Sequence, residues 1–429
     1  MRFFICLAML ASILILYGCG SEGDIESQNI STSGDYVVFA WNDLGMHCLN
    51  PTYDSAVILP PYNTVFAQVV KRGNPPQIIT KNLEVEYSII NNTKSYGKRD
   101  YGQFWDNCKK LFGIELAHDT GLNLEDPGIH NSLSGMMVSK GDHFVVNGIP
   151  VTPVDDSGVW NAYQVAEIKV KSDTGSILAQ TRTTVPTSDE IHCDRCHGDN
   201  AFIDILQKHD AEKKTKLMDE KPVLCASCHG TPALGANEAG SSGKYLSQAI
   251  HGSHASRGAT CLDCHPGTTT KCSRSLAHTA EDGNCITCHG DMSKVASSIK
   301  SGERTPWIDE PKCATCHTNI AQIDTGDTLY RNAKGHGALY CTSCHSSPHA
   351  MVPSREDSDN YQAMQYQGKA KSIGSCGVCH SNSKGEGAGN FMEAHGGSNP
   401  ETKNACYICH TAVTTNTEKW PHSYQWKAR

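Results

Sequence analysis

One short pattern, Cys-x-x-Cys-His, recurs through the second half of this chain of 429 residues. It occurs eight times, with starts 24 to 36 residues apart, at Cys193, Cys225, Cys261, Cys285, Cys313, Cys341, Cys376 and Cys406. Two thiols at this spacing can add to the two vinyl groups of a haem while the imidazole of the next residue reaches the iron. Each copy therefore predicts one covalently attached c-type haem.

The predicted attachment residues are the two cysteines and the histidine of each copy. The thioether cysteines are Cys193, Cys196, Cys225, Cys228, Cys261, Cys264, Cys285, Cys288, Cys313, Cys316, Cys341, Cys344, Cys376, Cys379, Cys406 and Cys409. The histidines on the proximal side of the iron are His197, His229, His265, His289, His317, His345, His380 and His410. The predicted cofactor content is eight haem c.

Zinc sites are the alternative, because paired Cys-x-x-Cys motifs also build tetrahedral zinc ribbons and knuckles. Zinc does not require a histidine after every second cysteine. Histidine fills only 21 of the 429 positions, yet it follows all eight Cys-x-x-Cys pairs. The pattern therefore favours haem over zinc.

Histidines outside the motifs are candidates for the distal face of each iron. Residues 187–429 contain nine of them: His192, His209, His251, His254, His278, His336, His349, His395 and His422. Nine candidates for eight irons predict histidine on both faces, with one to spare. His192 adjoins Cys193, so we expect it to serve a neighbouring haem. His251 and His254 share a face if they lie on a helix, and they can then serve two stacked haems.

The chain between the motifs is short. Residues 187–429 provide about 30 residues for each of the eight motifs. So little protein cannot bury each macrocycle separately, so we expect the haems to pack against one another. The predicted fold of this octahaem cytochrome c domain is short helices that hold the motifs, joined by loops.

The N-terminal segment predicts export. An apolar run from Phe3 to Tyr17 follows a short basic start and leads to Gly18 and Cys19. It resembles a lipoprotein signal peptide with its lipobox, which implies removal of residues 1–18 and acylation of Cys19. Gly20 at the next position favours the outer membrane. Plain secretion and an uncleaved anchor are the alternatives, although a span needs about 20 apolar residues.

Residues 19–35 are polar and acidic and are predicted to form a tether. Residues 36–186 are predicted to form a β-rich, sandwich-like domain of unknown role. The predicted strands are Tyr36–Trp41, Thr64–Val70, Leu83–Ile90, Ala166–Val170 and Ser176–Thr181, with one helix near Gly102–Phe112.

Few cysteines lie outside the motifs. Because export leads to an oxidising compartment, Cys48 and Cys108 in the β-rich region are candidate disulfide partners. Cys272 has no assigned role.

Saturated coordination favours electron transfer over catalysis, because a catalytic haem needs one vacant face. Through its motifs and lipobox the chain resembles multihaem c-type cytochromes, in particular outer-surface lipoprotein cytochromes of metal-reducing bacteria. The resemblance implies electron exchange with other redox proteins of the cell envelope and with an extracellular or periplasmic acceptor. The formal net charge of −8, to which haem propionates add, argues against nucleic acid as a partner.

Two alternatives remain. Octahaem oxidoreductases of small nitrogen or sulfur compounds also carry eight haems, but several of those families replace one motif histidine by lysine, and no motif here does so. Some extracellular multihaem cytochromes stack into conducting filaments in which a histidine of one subunit serves a haem of the next. The ninth histidine permits that arrangement.

Overall fold

The computed structural model describes residues 34–73, 75–276, 278, 285–313 and 328–381. Predicted site residues outside these ranges are Cys19, Cys316, His317, His395, Cys406, Cys409, His410 and His422. The β-rich region and the cysteine-rich region that follows it are parts of one compact unit.

Short strands run through the β-rich region, and the last of the twelve described strands lies in the cysteine-rich region. They are β1 (Tyr36–Asn42), β2 (His47–Cys48), β3 (Ala56–Val57), β4 (Val65–Lys71), β5 (Gln77–Ile78), β6 (Leu83–Ile89), β7 (Ser134–Met136), β8 (Val138–Lys140), β9 (His143–Val146), β10 (Tyr163–Ser172), β11 (Ile177–Ser188) and β12 (Val223–Leu224).

Two sheets face each other. One has the order β1-β4-β9-β8 with β5 also paired to β4, and the other has the order β2-β11-β10-β6-β7. Alternate residues of β6 and β10, such as Tyr87 and Ile168, point into a core that also contains Val38 of β1 and Val69 of β4. The predicted β-rich region is confirmed, and its two sheets share one apolar core.

Strand β1 is buried on both faces. Val38 and Ala40 enter the core between the sheets, whereas Phe39 and Trp41 pack on the other side against Tyr340 from the cysteine-rich region. A strand covered on both faces needs a continuous apolar run, as in Tyr36–Asn42. The β-rich region is therefore packed directly against the segment that carries the motifs.

All five predicted strands are confirmed, at β1, β4, β6, β10 and β11. Strands β7 to β9 were not predicted. They are three or four residues long, and β7 and β8 are exposed along their whole length. The edge strands β7 and β8 lack the apolar alternation that a sequence pattern detects, and β9, which lies between β4 and β8, is too short to show it.

The helices are mostly short, and all but the first belong to the cysteine-rich region. They are α1 (Gln103–Phe112), α2 (Asp194–His197), α3 (Ala201–Lys213), α4 (Leu246–His254), α5 (Cys285–His289), α6 (Met292–Ser301), α7 (Cys341–His345) and α8 (Tyr361–Gln367). The predicted helix near Gly102–Phe112 is α1. Within the described ranges, no helix has the length and apolar character needed to cross a membrane.

Helical turns hold the described motifs. The first, fourth and sixth motifs lie on α2, α5 and α7, and the second, third and seventh begin with 3-10 turns at Cys225–Ser227, Cys261–Asp263 and Cys376–Val378. A helical turn brings residues three apart onto one side of the backbone, and three is the spacing of the two cysteines in each motif.

Cys48 and Cys108, the predicted disulfide partners, are both free thiols in this structure. Cys108 packs in an apolar cluster with Trp105 and Leu49. Successive residues of an extended segment point to opposite faces, so Leu49 turns toward that cluster while Cys48 turns away from it.

A buried ion pair ties three distant segments together. Arg274, which is 1% exposed, donates from Nε to Oδ2 of Asp359 at 2.7 Å and from Nη2 to Oδ1 at 3.1 Å. Its Nη1 donates to the carbonyl of Gly45 at 2.7 Å. The arginine thus links the chain between the third and fourth motifs to the segment before α8 and to the turn after β1.

Replacing Asp359 by Asn should leave the Arg274 charge buried without a counter-charge. We expect the free energy of unfolding to fall by about 3–5 kcal/mol, measured by chemical denaturation. The matched control is Glu115→Gln, which breaks the Lys109–Glu115 pair whose side chains are 77% and 81% exposed. An equal effect of both substitutions would contradict a special role for the buried pair.

Candidate haem-iron sites

Five motif histidines each face a second histidine across an open gap. The ring centroids are 6.1 to 6.4 Å apart in the pairs His197–His254, His229–His209, His265–His251, His289–His349 and His380–His336. The second member of every pair is one of the nine histidines outside the motifs. The structure therefore brings motif and candidate distal histidines together one to one.

This spacing fits one metal ion between two imidazoles. With about 2 Å for each metal–nitrogen bond and about 1.2 Å from that nitrogen to the ring centre, two opposed ligands have centroids roughly 6.4 Å apart. A direct face-to-face stack is much closer, as for Tyr96 on His118 with centroids 3.5 Å apart, whereas the edge-on contact of Tyr53 with Phe104 has centroids 5.4 Å apart. Two neutral imidazoles are also the donor set of six-coordinate haem iron.

Helix α4 supplies two of the candidate distal histidines. Nδ1 of His251 donates to the Ser247 carbonyl at 2.8 Å, and Nδ1 of His254 donates to the Ile250 carbonyl at 2.7 Å. Because a carbonyl only accepts, the proton must lie on Nδ1, which leaves the lone pair of Nε2 for a metal. The two rings face His265 of the third motif and His197 of the first.

Other histidines are held in the same way by acceptors from elsewhere in the chain. Nδ1 of His197 donates to Oδ2 of Asp204 on α3 at 2.6 Å. Nδ1 of His349 donates to the carbonyl of Leu44, beyond β1, at 3.2 Å. Nδ1 of His229 lies 3.2 Å from the carbonyl of Lys244. The β-rich region therefore orients a candidate ligand of the fourth motif.

Burial favours the neutral form of several of the paired imidazoles. It lowers the pKa of His265 to about 4 and that of His349 to about 4, and each has other histidines as neighbours that act in the same direction. Burial also lowers the pKa of His251, His289 and His380. Neutral imidazole is the form that binds a metal ion.

Neighbouring motifs approach one another closely. Burial raises the pKa of Cys193 in the first motif to about 11, and the nearby Cys264 of the third motif adds to the shift. In the same way, Cys344 of the sixth motif adds to the effect of burial on Cys379 of the seventh. The attachment cysteines of these motif pairs therefore lie close to one another.

The fourth to sixth motifs continue this series. Burial raises the pKa of Cys313 in the fifth motif, and Cys288 of the fourth is among the neighbours that raise it further. Tyr330 is buried beside Cys313 and beside Cys341 of the sixth motif. Its hydroxyl donates to the carbonyl of Ser346 at 3.1 Å.

His192 has a different environment from the other candidates. Its Nε2 lies 3.2 Å from Oε1 of Glu190, and in the described part of the chain it faces no motif histidine. The backbone N–H groups of Thr268, Thr269 and Thr270, just after the third motif, also donate to Glu190, at 2.6 to 3.0 Å. His192 thus belongs to a structural contact between the first and third motifs.

The remaining predicted residues are only partly placed. His345 of the sixth motif has Nδ1 2.9 Å from Oγ of Ser372. His278 lies in a turn between residues outside the described ranges. The described ranges do not include Cys316 and His317 of the fifth motif, the eighth motif, His395 or His422.

The outer face of β1 and β4 forms a wall beside the sixth and seventh motifs. Gln68 accepts from the Ser343 hydroxyl at 3.1 Å and from the Tyr340 backbone N–H at 3.2 Å. Nε of Arg72 donates to the Val378 carbonyl at 2.9 Å. Nε1 of the buried Trp41 has no hydrogen-bond partner among the described residues.

Sequence reasoning did not identify these supporting residues. They are Gln68, Arg72, Asp204 and Leu44, the last through its carbonyl. Their hydrogen-bond partners lie as far as 306 positions away in the chain. Only Asp204 carried a local signal, since it lies seven residues after His197 and on the face of α3 that meets that histidine.

Residues 253–346 match the family model described as Cytochrome c3. The match covers the third to sixth motifs, about a fifth of the chain. It supports a multihaem c-type cytochrome that transfers electrons through covalently bound haem c.

One solved structure, described as "Crystal structure of MtrC from Shewanella baltica OS185", aligns with 62% of this chain at 11% identity and a TM-score of 0.13. The alignment covers only 45% of that chain. A TM-score this low carries no argument about the fold. No curated protein matches the chain.

Glu190 should make the contact between the first and third motifs sensitive to acid. Burial alone would raise its pKa, but the hydrogen bonds from Thr270, Thr269, Thr268 and His192 lower it to about 2 from 4.5. The stabilisation is therefore present above pH 4.5 and is lost as the pH falls toward 2. Glu190→Gln should lower the free energy of unfolding at pH 7 by roughly 2 kcal/mol, allowing for solvent screening.

The measurement is denaturant unfolding at pH 7 and at several values between 4.5 and 2. The variant should lose less stability over that interval than the wild type. Glu220→Gln at an exposed carboxylate is the control and should follow the wild type. Identical acid profiles of Glu190→Gln and wild type would contradict this assignment.

Proposed function

We propose that this protein is an electron carrier of the cell envelope that holds eight haem c groups, each between two histidines. The five histidine pairs at 6.1 to 6.4 Å are the observation that carries the proposal. When bound, each haem supplies an iron that takes up and releases one electron. The protein supplies attachment, orientation and exclusion of water.

The five pairs also divide the distal candidates between motifs. His254, His209, His251, His349 and His336 would serve the first, second, third, fourth and seventh motifs. His278, His395 and His422 remain for the fifth, sixth and eighth. His192, bound to Glu190, is then the surplus histidine of the nine.

Histidine on both sides of each iron favours conduction over catalysis. The paired rings would hold the iron of a bound haem from both sides and would leave no site for nitrite, hydroxylamine or a sulfur compound. The Nδ1 hydrogen bonds hold the rings in place and limit rearrangement when the charge on the iron changes.

The order of motifs in space differs from their order in the chain. Helix α3 joins the second motif to the first, because His209 faces His229 while Asp204 binds His197. Helix α4 joins the first motif to the third. The third then adjoins the fourth, where His289 lies near His265. The contacts among motif cysteines and Tyr330 connect the fourth, fifth, sixth and seventh motifs in chain order. The proposed path therefore runs through motifs two, one, three, four, five, six and seven.

The location rests on the N-terminal segment. Acylation of Cys19 would hold the protein at the outer membrane, with residues 19–35 as a tether. The partners would be other redox proteins of the envelope, and the final acceptor would be periplasmic or extracellular. A Cys19→Ala variant released from membranes would support this anchor, whereas its retention would overturn it.

The deciding experiment is intact mass combined with a redox titration followed by optical and magnetic spectra. We expect eight covalent haem additions and low-spin signals only. Fewer additions would contradict the count. A high-spin haem in the wild type, or one that binds nitrite or hydroxylamine, would overturn the conduit and favour an octahaem enzyme. Long polymers in electron micrographs of the purified protein would favour a filament subunit.

Substitution of a distal histidine should change one site only. His254→Ala should convert one low-spin haem to a high-spin haem and leave the number of attached haems unchanged. His251→Ala should do the same at a second site. His192→Ala is the matched control and should produce no high-spin haem. The outcome that contradicts the assignment is a high-spin signal in His192→Ala or none in His254→Ala.

A further inference from the structure

Two cysteines outside the motifs lie on facing segments. Cys48 is the last residue of β2, where it is paired with Ser188 of β11. Cys272 lies between the third and fourth motifs. Oγ of Ser188 is 2.9 Å from Oγ1 of Thr270, only two residues before Cys272.

A second contact joins the same segments on the other side. Nη1 of Arg274 donates to the Gly45 carbonyl at 2.7 Å and lies 3.4 Å from the carbonyl of Cys272 itself. Gly45 precedes Cys48 by three residues. Hydrogen bonds at Thr270 and Arg274 therefore bracket Cys272 and join it to Ser188, the strand partner of Cys48, and to Gly45. Both cysteines are half-buried free thiols in this structure. Cys272 is also among the neighbours that raise the pKa of Cys48, after burial.

We propose that Cys48 and Cys272 form a disulfide in the mature protein and so cross-link the β-rich region to the chain between the third and fourth motifs. The inference rests on the export that the proposed function assumes, because disulfides persist in oxidising compartments.

The reaction is thiol–disulfide exchange with a disulfide-bearing oxidoreductase as the oxidant. One of the two thiolates attacks the donor's disulfide, forming a mixed disulfide and releasing one donor thiol. The second cysteine then attacks the mixed disulfide and releases the other donor thiol. Two protein thiols are oxidised, one donor disulfide is reduced, and both protons pass to the donor thiols.

The other cysteines are unsuitable partners. Cys285 also lies near Cys272, but it is the first cysteine of the fourth motif and is used for thioether attachment. Cys108 is enclosed among Phe104, Trp105 and Leu111 in an apolar cluster.

The cross-link would secure a segment that orients a predicted ligand. Gly45 has φ +79°, and a side chain there would meet the backbone nitrogen of His349 at 3.2 Å. The adjacent Leu44 carbonyl accepts from Nδ1 of His349. Fixing Cys48 to Cys272 therefore holds this turn against the distal histidine of the fourth motif.

Peptide mapping of the intact, haem-loaded protein tests the proposal. The protein is denatured without reductant, alkylated and digested with trypsin, which cuts after Lys271 and Arg274 and leaves Cys272 in the peptide Cys-Ser-Arg. We expect this tripeptide linked to the peptide that contains Cys48, with alkylation of Cys108 only among these three. Reduction should release both peptides.

Several outcomes would overturn the proposal. They are full alkylation of Cys48 and Cys272 without reductant, or a linkage that includes Cys108. If these thiols are free in protein that carries its haems, the cross-link is wrong and the electron-carrier function stands. Protein from the same preparation that lacks haem would instead count against the proposed function.

Stability provides a second readout. A phosphine reductant should lower the thermal midpoint of the wild type but leave the midpoint of the double variant Cys48→Ser/Cys272→Ser unchanged. Each single variant should expose one new alkylatable thiol at the other position. Cys108→Ser is the matched control and should retain the linked peptides. An equal response of wild type and double variant to the reductant would contradict the cross-link.

Discussion

An imidazole can bind a metal ion through Nε2 only when Nδ1 carries the proton, and the acceptor of that proton decides how the ring is aimed. In this fold the acceptors come from several sources. His251 and His254 use carbonyls of their own helix, His197 uses Asp204, and His349 uses the carbonyl of Leu44. Packing of the β-rich region against the motifs therefore helps to set the orientation of these imidazole rings.

Sequence patterns predicted local features well and distant partnerships poorly. The shared face of His251 and His254 follows from their spacing of three on α4, so it was predictable. The match of His254 to His197 depends on how α4 packs, which no local pattern records. The direction of Cys48 is likewise set by the pairing of β2 with β11, so its partner could not be read from local sequence. Long strands were found because they alternate or are continuously apolar, whereas β7 to β9 are short.

The β-rich region buries part of the segments that carry the sixth and seventh motifs. Its strand β1 buries one face in the sandwich core and the other against Tyr340 and Val378, which flank the sixth and seventh motifs. Gln68 and Arg72 bind the backbone of the same segments. Because a cysteine-rich chain with about 30 residues per motif has little apolar core of its own, this wall supplies burial that the motifs cannot provide for one another.

Sharing of ligands between segments makes the proposed electron path depend on the whole fold. In each described pair the distal histidine comes from outside the motif, and α3 and α4 each contact two motifs. Loss of α4 would therefore remove ligands from two irons at once, at adjacent positions in the path. In such an arrangement the proposed haems would lie close together, and a movement of α4 as a whole would disturb two sites at once. That coupling suits conduction, in which every site must remain saturated, and it opposes catalysis, which needs one site to open alone.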